Sequence, residues 1–123
     1  MRLIRYTQPN SAAVPQQGVA WRPRVDVIDA EKHYVLEVDL PGVDPNSVQV
    51  ELDEGLLQIR GERLASHGEG AVYAYRERRA GKFERSFRVP EAVDAEGIVA
   101  RYDKGVLEIH VPKVERSRKI PIQ

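Results

Sequence analysis

Cysteine is absent from this 123-residue chain, tryptophan and methionine occur once each, and phenylalanine occurs twice. The first absence excludes disulfides, thiolate nucleophiles and cysteine-ligated metal together. An excess of charge of either sign is also missing, because nineteen basic side chains balance nineteen acidic ones and the formal net charge is zero. Such a chain lacks the whole-molecule field that draws proteins to nucleic acid. No apolar run approaches the roughly 20 residues needed to cross a bilayer, and the opening "MRLIRYTQPNSAAVPQQG" has no uninterrupted apolar stretch of the secretory kind. These absences set the expectation of a cytoplasmic protein with neither nucleic-acid nor membrane partners.

What is present fits one domain. Apolar residues make up 41% and charged residues 31% of the chain, enough for a hydrophobic core of single-domain size. Residues 1–20 are rich in Pro, Gln, Ser and Ala without helical or strand period and read as a short flexible arm. From Trp21 onward the period is two. Tyr34, Leu36, Val38 and Leu40 fall on one face of a strand that Pro41-Gly42 stops, Val48, Val50 and Leu52 form a second such set, and Leu57 and Ile59 a third.

Two segments echo each other, "VELDEGLLQI" and "ARYDKGVLEI". Each is a strand, an Asp-x-Gly and a strand, which predicts short hairpin loops at Asp53-Glu54-Gly55 and Asp103-Lys104-Gly105 with glycine in the left-handed region. Seven to nine short strands without an amphipathic helix predict an all-β fold of two packed antiparallel sheets, a β-sandwich.

A catalytic reading finds little to work with. His33, His67 and His110 are scattered without metal-like spacing, the carboxylates lie at turns or opposite apolar positions, and "SHGEG" lacks the Lys-Ser/Thr of a phosphate cradle. The expectation is therefore no enzyme, no catalytic residue, no metal and no cofactor.

Two features do ask for an explanation. In "FERSFRVP", strand parity puts Arg85 on the same face as Phe83, Phe87 and Val89. A guanidinium there must be paired or reach water, so Arg85 either snorkels at a sheet margin or serves a subunit contact. The second feature is the ending "RKIPIQ", where Ile120 and Ile122 flank Pro121 on a charged tail with no core of its own. Pro121 favours an extended backbone that turns both isoleucines to one surface.

"DLPGV" after a strand, "FERSFRVP", "ARYDKGVLEIHVPK" and a terminal Ile-Pro-Ile, in that order, resemble the α-crystallin domain of the small heat-shock proteins of the bacterial and plant type. The resemblance divides the chain into the arm at 1–20, the domain at 21–112 and an extension at 113–123. It implies an immunoglobulin-like antiparallel sandwich with a strand-swapping loop, and an ATP-independent holdase that binds partly unfolded client proteins and prevents their aggregation.

The resemblance also implies a homodimer in which a strand in "AVYAYRE", carrying Val72, Tyr73 and Tyr75, pairs with the partner's edge near Trp21. Arg85 matches the family's arginine at the dimer contact. Ile120 and Ile122 match its assembly anchor, which docks in a groove lined by Val48, Val50, Leu52, Ile98 and Ala100 and builds a higher homo-oligomer. The competing reading is a co-chaperone or adaptor sandwich that binds one folded partner, which would need neither the swapped strand nor the terminal isoleucines.

Overall fold

The computed structural model describes residues 5–6, 18–65, 67–90, 92–114 and 121–123. Nine strands occur among them: β1 (Arg5–Tyr6), β2 (Val19–Trp21), β3 (Val25–Asp29), β4 (His33–Asp39), β5 (Gln49–Asp53), β6 (Leu56–Arg63), β7 (Gly81–Arg88), β8 (Val99–Asp103) and β9 (Val106–Pro112). One sheet runs β1-β7-β6-β5, with β2 also on β7, and the other runs β3-β4-β9-β8. All pairings are antiparallel except β2 with β7.

The period-two pattern becomes the core. Tyr34, Leu36, Val38 and Leu40 are buried as one face of β4 and its end, and they meet Leu57, Ile59, Phe83, Phe87, Leu107, Ile109 and Val111 from the neighbouring strands of both sheets. Each such side chain contributes about 1.5–3 kcal/mol when fully buried, which is why the alternation fixes the register so firmly.

Both predicted hairpins form with two-residue loops, Asp53 pairing with Leu56 and Asp103 with Val106. The left-handed region is occupied by two residues in each turn rather than by glycine alone: Glu54 has φ 48° and Gly55 78°, Lys104 52° and Gly105 81°. Both residues of a type I′ turn take positive φ because its twist matches that of the flanking strands. The "DLPGV" segment then docks on the second turn. Leu40 N–H donates to the Gly105 carbonyl at 2.7 Å, and the Tyr102 hydroxyl donates to the Leu40 carbonyl at 2.6 Å.

Two segments lie outside the main ladders of the sandwich. Within the arm, Arg5 and Tyr6 pair with Arg88 and Phe87 of β7. Ladder bonds are made by backbone, so a segment poor in apolar side chains can still add to an open edge. Conversely, "AVYAYRE" forms no strand within the chain, since no ladder reaches residues 71–77. A strand exists only through a partner strand, and none is supplied there by the chain itself.

Candidate functional site

Among the described residues the two sheets end in unpaired edges, β5 in one and β8 in the other. Val48 just before β5, Val50 and Leu52 on it, and Ile98 just before β8 are half-buried and pack against the core. Ala100, on the same face of β8 as Tyr102, is exposed. The five groove residues of the sequence reading therefore lie on or beside the two open edges. Apolar side chains that share the core yet remain half-accessible can accept further apolar groups.

Of the proposed anchor, Ile120 lies outside the described residues. Ile122 is 99% exposed, with no groove of its own chain over it.

The loop after β6 carries the second set. Val72 is 89% exposed and Tyr75 80%, while the Tyr73 ring meets the His67 ring edge to face and lies under the Arg76 guanidinium. The loop is held at its root by Arg63, the one buried charged side chain among the described residues. Its Nε donates to the Pro41 carbonyl at 3.0 Å and its Nη1 to the Arg79 carbonyl at 2.8 Å, and the guanidinium lies 4.2 Å from the centre of the Trp21 ring. Burial first, and then the neighbouring Arg78, push its pKa below the ordinary arginine value, with Tyr102 opposing. The cation is accommodated by two carbonyls and an aromatic face, which joins the β4 turn, β2 and the returning loop at one point.

Trp21 completes that cluster from its own chain. Its ring lies 5.2 Å from Phe83, and its indole N–H donates to the Gly81 carbonyl at 2.8 Å. The outer edge of β2 carries no ladder among the described residues.

Arg85 is half-buried on β7, opposite Ile59. It neither stays unpaired nor simply snorkels: Nη1 donates to the Pro23 carbonyl at 2.5 Å, and the guanidinium lies 5.2 Å from the Phe87 ring. Parity thus placed Arg85 correctly and missed Arg63, although "LLQIRGER" puts Leu57, Ile59, Gly61 and Arg63 on one face by the same rule.

Sheet pairing brings two of the scattered histidines together on the outer face. His33 and His110 meet edge to face at 5.9 Å, and His110 Nε2 is 2.5 Å from Glu108 Oε1. Among the described residues no group of three or more His, Cys, Asp or Glu side chains is placed to hold a metal, and no helix is long and apolar enough to cross a membrane.

Comparison with known proteins identifies this arrangement. The Hsp20/alpha crystallin family profile matches residues 26–123. Small heat shock protein C2 of Rickettsia felis is 33% identical over 121 residues, 96% of this chain and 77% of the relative. The chloroplastic heat shock 22 kDa protein of Chlamydomonas reinhardtii is 43% identical over 99 residues, but there the chain spans only 62% of the relative's length. Among solved structures, a small heat-shock protein from Xylella fastidiosa superposes with a TM-score of 0.76 at 40% identity, covering 85% of this chain and 97% of the other. That crystal structure is described as revealing a distinct high order structure. With relatives in bacteria and in plants, and with the sandwich those relatives share, the chain belongs to the Hsp20/alpha crystallin family, the small heat-shock proteins.

Proposed function

We propose that this protein is an ATP-independent holdase whose working unit is a homodimer made by strand exchange, joined into larger particles by its C-terminal extension. The observation that carries the reading is a mismatch within one chain. Val72, Tyr75 and Ile122 project from segments outside the sandwich at 89%, 80% and 99% exposure, while among the described residues β2, β5 and β8 present open edges. Side chains without a core and edges without a ladder fit each other when a second copy supplies what the first lacks.

In this reading residues 72–75 add to the partner's β2 beside Trp21, and Arg85 sits at that contact. Ile120 and Ile122 enter a neighbour's groove between β5 and β8. Burying one isoleucine is worth roughly 1.5–3 kcal/mol, part of which is lost in ordering the tail. A single docked tail is weak, and several acting together hold a particle while each exchanges. When subunits part, the same edges and half-buried apolar residues become available to the exposed segments of an unfolding client.

The test is a heat-labile enzyme mixed with this protein in the absence of nucleotide. Light scattering should fall as the ratio of chaperone to client rises. Unchanged scattering at excess protein overturns the holdase reading.

A further inference from the structure

The extension leaves the sandwich at Lys113 and Val114, directly after β9, and the chain is held there from several sides. Lys113 N–H donates to the Lys32 carbonyl and Val114 N–H to the Ala92 carbonyl, each at 2.9 Å. The Lys113 side chain turns back onto the body. Its Nζ donates to Asp29 Oδ1 at 2.7 Å and to the Ala30 carbonyl at 2.6 Å, and it lies 4.6 Å from the centre of the Tyr34 ring.

These contacts line a cavity of about 570 Å³ at the end of the β3–β4 hairpin, with Ala92 and Val114 on its other side. Burial, and then the Asp29 charge, raise the Tyr34 phenol to about 12, so the ammonium faces a neutral ring at ordinary pH. A lysine has a long flexible stem, and two charge-assisted donors plus a ring face are enough to hold it in one place.

The exit angle decides what the tail can reach. A seven-residue stretch, the length from Lys113 to Lys119, can reach at most about 23–25 Å, and a swing of about 30° at the root of such a reach would move its far end by about 12 Å. That is more than two strand spacings, each about 4.8 Å. We infer that Lys113 is a positioning residue that fixes the direction in which the extension leaves, and so selects which neighbouring subunit its isoleucines engage. The selection step rests on the anchor role proposed above for Ile120 and Ile122.

Lys113→Met keeps the apolar stem over Tyr34 and removes the charge and donors. Two readouts are taken on the full chain: amide hydrogen exchange at Val114 and the particle-size distribution by native mass measurement. Exchange at Val114 should quicken roughly tenfold with the melting temperature unchanged. The size distribution should broaden or shift to a new particle. Lys113→Arg should restore both, and Asp29→Asn, acting from the other partner, should move both in the same direction.

Unchanged exchange at Val114 in Lys113→Met overturns the inference, as does faster exchange with a wild-type size distribution. The double variant Ile120→Ser, Ile122→Ser separates the two layers. If it alters particle size while Lys113→Met does not, the positioning role falls and the anchor stands. If it leaves particle size unchanged, the anchor reading falls and selection of a neighbour falls with it.

Discussion

Gly61→Ala tests whether the packing around Phe83 is as tight as the geometry states. Gly61 lies on β6 directly opposite Phe83 of β7. A Cβ added there would sit 2.5 Å from Phe83 Cζ and 2.8 Å from Cε2. Carbon atoms prefer separations of about 3.5–4.0 Å, so the ring must retreat by about 1 Å. It has little room, because Phe83 is 2% exposed and Trp21 lies 5.2 Å away, itself held by the Gly81 carbonyl and covered by Arg63.

Overpacking of this kind costs about 1–3 kcal/mol. Against it, Gly61 has no positive φ, so alanine fits the backbone and recovers roughly 0.4–1 kcal/mol by restricting the unfolded chain. A net loss near ~1.5 kcal/mol lowers the melting temperature of a domain this size by roughly 6–12 °C. Gly68→Ala is the matched control, since nothing lies within 4 Å of its added Cβ and its φ is not positive. Thermal unfolding followed by circular dichroism should separate the two variants. A Gly61→Ala protein that melts with the wild type or with Gly68→Ala would show that Phe83 relocates freely, and the account of this cluster would fail.

The core and the turns could be read in the sequence because both are local. Alternation at Tyr34 to Leu40 needs only neighbouring positions, and Asp-x-Gly between two alternating runs marks a hairpin wherever it occurs. Arg85 was found by the same local parity. Arg63 obeys that rule too, but nothing local shows that Pro41, Arg79 and Trp21 would converge on it from three distant segments.

Lys113 was invisible for the same reason: its partner Asp29 lies 84 residues away, and only the β3-β4-β9 order brings them together. The "AVYAYRE" segment was legible as an apolar run set off by glycine-containing loops, yet no ladder within the single chain includes it. Under the proposed strand exchange its ladder would come from a second molecule, which no pattern within one chain supplies.

Three further outcomes follow from the same contacts. Excising residues 66–78 and bridging the gap with a short turn that leaves Arg79 in place should give a folded monomer by sedimentation; a normal dimer would refute strand exchange. Arg85→Ala removes a half-buried donor to Pro23 and should weaken the dimer by about 1–3 kcal/mol, against 0.5 kcal/mol or less for exposed Arg88→Ala, allowing about that much for an ordinary surface change. Equal dimer dissociation constants for the two variants would refute the contact role. The last concerns alkaline pH, where burial and then the Asp29 charge push the Tyr34 phenol up to about 12 in the fold, from about 10 in the open chain. Above pH 10 the unfolded chain gives up this proton while the folded chain keeps it. The stabilisation is therefore whole below the unfolded value and lost as pH rises through the folded one, by on the order of 2 kcal/mol. Denaturant titrations between those limits should show wild type losing stability faster with pH than Tyr34→Phe, which has no such proton to lose. Parallel slopes for the two proteins would mean that the phenol is as easily ionised in the fold as in the open chain, and that neither burial nor Asp29 holds its proton.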